Sequence, residues 1–291
     1  MIELFEKYFF ENHPESGHGI VNTTVPNLIL FRADQFQPRM PLLYDLGLIF
    51  ILRGEKSLFI NDRVIHYDQD NMLIVTSPSP LECVTHASAS KPLIGITIRI
   101  DSVLLLEVVG KIRAQSKEFL PSANLALVTS VPVDDKMRDA IKRLLLSLQS
   151  PIDSVVLAPD ILKELLYYAV ISSGGAGLVA LASDHGAFSS VSKIMNYIHH
   201  HYAQGINIEQ MMKMAGMGQA SFHRAFKQVA GDTPIQYLKK IRLHKAKELL
   251  ASGRQKASMV AYDVGYDSPS QFSREFKRFF GTSPGLINQE L

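Results

Sequence analysis

Short apolar runs broken by turn-forming residues fill the chain to about residue 100. Leu46 to Leu52 is continuous and ends at Arg53-Gly54, Ser57 to Ile60 meets an Asn61-Asp62 turn, and Val64 to Tyr67 is followed by Asp68-Gln69-Asp70-Asn71. Met72 to Val75 stops at Ser77-Pro78-Ser79-Pro80, Leu81 to His86 alternates, and Leu93 to Ile100 closes the series. Strands this short and evenly spaced, punctuated by Gly, Pro, Asn and Asp, predict an antiparallel sandwich or barrel. From Asp101 to residue 185 the chain reads as helical. Asp101 is placed to cap Val103 to Arg113. Asp134 to Leu148 carries Met137, Ile141, Leu144, Leu145 and Leu148 on one stripe, and Pro159 to Ile171 makes a third helix. Those stripes need partners, which the barrel, one another or a second subunit could supply.

The pattern is sharpest near the C-terminus. Val260, Ala261 and Val264 face inward on a short helix from Ser258 that stops at Gly265, a residue suited to a left-handed turn. A second helix opens at once, with Asp267 or Ser268 as its cap and Pro269 at its first position. Phe272, Phe276, Phe279 and Phe280 make its apolar stripe, which leaves Ser270, Gln271, Ser273, Arg274, Lys277 and Arg278 on or near the outer surface. Short hydrogen-bonding groups mixed with cations suit a helix in a DNA major groove, where Arg and Gln read base edges and Lys pairs with phosphates. An ordinary charged surface helix would share this pattern.

A second copy argues against the ordinary reading. Phe222 to Pro234 repeats Phe272 to Pro284 at a constant offset of fifty positions, with Phe222/Phe272, Arg224/Arg274, Phe226/Phe276, Lys227/Lys277, Gly231/Gly281 and Pro234/Pro284 identical. Between the copies, Ile235, Leu238, Ile241, Ala246, Leu249 and Leu250 make a connecting helix whose other side carries Lys239, Lys240, Arg242, Lys245 and Lys247. A rigid bar joining two reading helices predicts contact with successive major grooves, about 34 Å apart. Charge follows the same division. Residues 186 to 291 hold fourteen Lys and Arg against seven Asp and Glu, a balance of +7, and the remainder holds sixteen against twenty-one, a balance of −5. The basic part is the part with the repeat, as binding to phosphates requires.

The region from about Val191 to Gln289 resembles the DNA-binding domain of the AraC/XylS family of bacterial transcription regulators, two helix-turn-helix units joined by a long helix. The doubled motif carries the match, together with Pro234 to Leu243 at the start of the connecting helix and Val264-Gly265-Tyr266 in the second turn. Carried over by position, the resemblance implies groove contacts by Ala220, Ser221, His223 and Arg224 in the first unit and by Ser270, Gln271 and Arg274 in the second. Lys227, Ser273 and Lys277 fall to phosphates. Met211-Met212 departs from the usual leucine and small residue of the first supporting helix, and methionine is pliable enough to fill the same space. The family also implies a cupin-like barrel that binds a small effector, helices after it that mediate dimerisation, and activation more often than repression. Pro92 to Asp101 and Leu157 to Tyr167 resemble one subgroup with its own N-terminal domain type.

Barrels of this kind can instead be metal enzymes. His66, Glu82 and His86 stand on or beside neighbouring strands, but no His-x-His pair occurs, and none is assigned as a ligand. His199-His200-His201 is no better, because consecutive helical residues splay by about 100 degrees. Cys83 has two readings, a small buried hydrophobe or a redox or electrophile sensor, and the second needs an accessible thiol beside a cation, for which His86 is the only local source. As the single cysteine it excludes an internal disulfide and suits a reducing cytoplasm. The charged start MIELFEKYFFEN does not read as a signal peptide, and no stretch approaches the ~18 apolar residues of a membrane span.

The expected fold class is therefore α+β. A cupin-like sensing domain occupies 1–115, a helical join and dimerisation region 116–185, and a DNA-binding domain 186–291, with helix-turn-helix units at about 208–230 and 258–280. The partners expected are double-stranded promoter DNA, a small-molecule effector, RNA polymerase and a second copy of the chain, at the nucleoid in the cytoplasm. No catalytic residue, cofactor or metal ligand is assigned. The rival readings are a cupin-type metal enzyme with a DNA-binding tail and an effector-independent architectural DNA-binding protein.

Overall fold

The computed structural model describes residues 1–13, 17–60, 63–115, 125–183, 186–253 and 255–289. The chain divides into two compact units, the first made of residues 1–39, 45–77 and 83–184 and the second of 40–44, 78–82 and 185–291.

The chain opens with a helix, α1 (Ile2–Asn12), and nine strands follow: β1 (Gly19–Asn22), β2 (Leu28–Ala33), β3 (Gln37–Tyr44), β4 (Gly47–Arg53), β5 (Glu55–Ile60), β6 (Arg63–Asp68), β7 (Asn71–Val75), β8 (Ser79–His86) and β9 (Leu93–Arg99). Then come α2 (Ser102–Gln115), β10 (Val128–Pro132), α3 (Asp135–Ser147), α4 (Pro151–Val156), α5 (Ala158–Ile171) and α6 (Ala176–Leu181). The strands form two sheets, ordered β1-β2-β9-β4-β7-β10 and β3-β8-β5-β6.

Burial explains why β4 is a continuous apolar run and does not alternate. Leu48, Phe50 and Leu52 share a core with Phe5 and Phe9 of α1, Val109 of α2, Leu144 of α3 and Leu165 of α5, so helices cover one face of the six-stranded sheet. The other face of that sheet meets the four-stranded one, where Lys56 Nζ of β5 lies 6.0 Å from the Phe31 ring of β2. Gly95 of β9 is required there, since a Cβ would sit 2.2 Å from that ring.

The expected helices form, with Asp101 Oδ1 accepting the Leu104 N–H at 2.8 Å and Asp134 Oδ1 accepting the Met137 N–H at 2.8 Å. Two readings need correction. The first residues are not strand but the helix α1, whose Phe5 and Phe9 are fully buried. The stretch after residue 101 is not all helical, because Val128–Pro132 pairs antiparallel with β7, Val131 opposite Met72. Five residues are too few to reveal a strand whose stabilisation comes from a partner over fifty positions away. The Asn61-Asp62 turn, residues 116–124 of the expected join, and 184–185 within the expected boundary lie outside the described residues.

The second unit contains α7 (Ala187–His201), α8 (Ile208–Ala215), α9 (Gln219–Ala230), α10 (Pro234–Ala251), α11 (Ala257–Asp263), α12 (Pro269–Phe280) and a 3-10 segment, Pro284–Gln289. Leu243, Ala246 and Leu250 of α10 form one core with Val260, Ala261, Val264, Tyr266, Phe272 and Phe276.

Candidate nucleic-acid interface

Each repeat builds a helix with a buried aromatic side and a polar outer side. In the first, Asn207 Oδ1 accepts the Gln210 N–H at 2.8 Å and opens α8, and Gly216 closes it at φ +65°. α9 then buries Phe222 and Phe226 completely, and Met211 of α8 is equally buried, so methionine does fill the leucine position. On the outer side Ala220, Ser221, Arg224 and Lys227 are exposed and His223 is half-buried.

The second repeat follows the same plan. Ser268, not Asp267, caps α12, its Oγ accepting the Gln271 N–H at 3.3 Å, and Pro269 is the first helical residue. Phe272 and Phe276 are fully buried, and Ser270, Gln271, Ser273, Arg274, Lys277 and Arg278 are all exposed. Phe279 and Phe280 do not simply extend the stripe. They are half-buried and stand edge-on to His244 of α10, each ring centroid 5.4 Å from the imidazole. Burial, followed by the nearby Lys247, Lys245 and Lys240, lowers the His244 pKa to about 3.

The cations of the connecting helix bind within the domain. Lys239 Nζ donates to Glu275 Oε1 at 2.8 Å, Lys240 Nζ to Asp232 Oδ2 at 2.7 Å and Lys245 Nζ to Glu248 Oε2 at 3.0 Å. Arg242 donates to the Tyr202 and Gln204 carbonyls at 2.8 and 3.0 Å, which ties the end of α7 to α10, and Gly265 of the second turn lies close against the same guanidinium. The sequence pattern alone does not mark Glu275, Lys239, Arg242 or His244 as parts of the interface. Glu275 did carry a signal, since it breaks the repeat by standing where the first copy has Ala225.

In the β domain two of the candidate histidines, His66 and His86, come together at a serine. The register places His66 opposite Ser57, and Ser57 Oγ lies 3.0 Å from His66 Nδ1 and 2.9 Å from His86 Nε2. Both histidines thus share one hydroxyl, and among the described residues no group of three His, Cys, Asp or Glu side chains is arranged to hold a metal. Cys83 is 3% exposed. Its thiol meets the buried Lys56 side chain; burial lowers the Lys56 pKa and the thiol contact opposes that shift. His199 and His200 meet edge-on, and His200 Nδ1 lies 2.8 Å from the Asn196 carbonyl oxygen while His201 lies against the Tyr197 ring, tilted by 30° with centroids 4.4 Å apart. An open cleft of about 580 Å³ in the first unit is lined by Phe36, Glu55, Asp68, His86, Ser88 and Lys91, among others. No described helix is long and apolar enough to cross a membrane.

Comparison with known proteins agrees with this architecture. Residues 24–176 match the AraC-type transcriptional regulator N-terminus, more than half of the chain, and residues 211–289 match a helix-turn-helix domain. The chain belongs to the family of AraC-type transcriptional regulators. Among similar proteins, the probable transcriptional regulator LumQ of Photobacterium leiognathi is 38% identical over 91 residues, 31% of this chain and 37% of LumQ. The transcriptional activator RhaS of Escherichia fergusonii is 29% identical over 109 residues, 38% of this chain and 39% of RhaS. The chain therefore matches less than two-fifths of the length of either relative. Among solved structures, an apo variant of ToxT from Vibrio cholerae has a TM-score of 0.60 at 14% identity, covering 93% of this chain and all of that one. Wild-type ToxT bound to an unsaturated fatty acid has a TM-score of 0.61 at 12% identity, covering 91% and 95%. These likenesses show a shared fold, an N-terminal β domain followed by a helical helix-turn-helix domain.

Proposed function

We propose that the protein is a sequence-specific DNA-binding transcription regulator, an activator that responds to a small molecule bound by its N-terminal domain. The observation that carries this is the pair of helices, α9 and α12, each with a buried aromatic side and an exposed side of small polar groups and cations. In this reading Ala220, Ser221, His223, Arg224, Ser270, Gln271 and Arg274 meet bases in successive major grooves. Lys227, Ser273 and Lys277 pair with phosphates. Residues 1–115 sense, 116–185 join and dimerise, and 186–291 bind the promoter, where the bound protein contacts RNA polymerase. The protein works in the cytoplasm at the nucleoid and performs no catalysis. ToxT carries an unsaturated fatty acid, but the charged lining of the cleft at Glu55, Asp68 and Lys91 favours a more polar effector here.

Genome-wide binding of the full-length protein, compared with a variant carrying Arg224→Ala and Arg274→Ala, tests the reading. Discrete peaks upstream of a few operons, lost in the variant, are expected. Diffuse binding that the substitutions do not change would mean that these helices do not read DNA.

A further inference from the structure

Glu275 lies on α12 one turn beyond Gln271, and its side chain is 13% exposed. Its Oε1 accepts from Lys239 Nζ at 2.8 Å and from Gln271 Nε2 at 3.1 Å, and its Oε2 accepts from the Tyr266 hydroxyl at 2.9 Å. Burial alone would raise its pKa, but the hydrogen bonds from Lys239, Gln271 and Tyr266 outweigh burial and hold it below the ordinary value. The carboxylate is therefore ionised at neutral pH and can only accept. That settles which way the Gln271 amide is turned. Its nitrogen faces Glu275, and its carbonyl points away.

Gln271 is exposed in the first turn of the helix. With one N–H committed to Glu275, it has one acceptor and one donor left, in a fixed order. The adenine edge in the major groove offers the complement, an N6 donor beside the N7 acceptor, whereas guanine offers two acceptors, O6 and N7. Gln271 held this way suits adenine and sets its carbonyl against guanine O6. The first unit lacks the brace, with Ala225 and Ser221 standing where the second has Glu275 and Gln271.

We propose that Glu275 is a positioning residue that makes the second recognition helix select adenine over guanine at one operator position, by fixing the amide of Gln271. This rests on the DNA-binding reading above. Without the brace the amide rotates and can donate to guanine, so the loss appears in base preference and not in overall affinity.

The test is selection of double-stranded DNA from a randomised pool by the full-length protein, with Gln271→Ala, Glu275→Ala and Glu275→Gln beside the wild type and the fold of each checked by circular dichroism. The wild-type motif should contain a position favouring adenine over guanine by about ten-fold or more, the discrimination of one good bidentate pair. Gln271→Ala should flatten that position. Glu275→Ala should bring adenine and guanine to near parity there, leaving other positions and the salt dependence unchanged. Glu275→Gln keeps an acceptor oxygen and should retain part of the preference, which also covers an alanine variant that fails to fold. The proposal is overturned by a motif in which Gln271→Ala changes a position that both Glu275 variants leave intact, or in which Gln271→Ala changes nothing. A wild type that enriches no motif overturns the DNA-binding reading itself, a separate outcome.

Discussion

Arg274 and Lys277 sit one turn apart on the exposed side of α12, and their chemistry divides the work between them. A guanidinium can bridge two acceptors on a base, whereas an ammonium acts as a point charge for a phosphate. Arg274→Ala should therefore cost about 1–3 kcal/mol on a matched site and relax specificity at one position. Lys277→Ala should weaken all sequences alike and lower the salt slope by about one. Anisotropy titrations on matched and mismatched duplexes at several salt concentrations separate the two. His244 gives a prediction of another kind. Its folded pKa is about 3 against an ordinary 6.5, so below pH 6.5 the unfolded chain binds a proton that the folded chain refuses. The contribution of this group is fully present above pH 6.5 and is lost as pH falls toward 3, by roughly 1.4 kcal/mol per pH unit. Urea unfolding at pH 7 and pH 5 should show the loss, and His244→Leu should remove that part of the pH dependence.

At the scale of elements, the two turns that join the paired helices differ in what surrounds their glycines. Gly216 has φ +65° and open space where a Cβ would go, whereas Gly265 has φ +89° and a Cβ there would lie 2.8 Å from Arg242 Nη2 and 2.9 Å from the Ala203 carbonyl oxygen. Gly216→Ala should cost about 1 kcal/mol for the left-handed backbone alone. Gly265→Ala must also displace the Arg242 clamp and should cost roughly 2–3 kcal/mol, read as the larger fall in Tm. The same contrast shows what the sequence can and cannot express. Helix ends written in neighbouring residues, such as Ser268-Pro269 and Gly281, are legible because cap and turn chemistry is local. The outer sides of α9 and α12 are legible because Phe222, Phe226, Phe272 and Phe276 repeat with a helical period. The Glu275 brace is not, since Lys239 reaches it from thirty-six positions away. The pairing of β10 with β7 and the burial of α1 escape the pattern for the same reason, and so does the placing of Lys56 beside Cys83. In each case the deciding partner is remote in sequence.

On the scale of the whole molecule, the helices that follow the two sheets carry an apolar surface that contacts among the described residues leave exposed. In α4, Ile152, Val155 and Val156 are 73%, 74% and 61% exposed, and Leu146 and Leu157, more than half exposed, line a neighbouring cleft. Scattered exposed aliphatics are ordinary, but this many on a six-residue helix and its flanks marks an interaction surface. The occupant we propose is a second copy of the chain, the partner that the family resemblance implies for the helices after the strands, and a two-fold contact would close the surface on itself. In such an interface each substitution enters twice. Val155→Glu would place two carboxylates near the axis, adding mutual repulsion to the loss of apolar burial. Sedimentation should give the wild type twice the 32.4 kDa of the chain at micromolar concentration and the variant a single copy. DNA binding then distinguishes loss of the dimer from damage to the reading helices. The variant should bind a single site as the wild type does, yet lose the advantage of two sites on one duplex, roughly 10²-fold or more when the second contact is made at high effective concentration. A wild type that sediments as one copy, or a Val155→Glu variant that remains paired, would move the subunit contact away from α4 or remove it altogether.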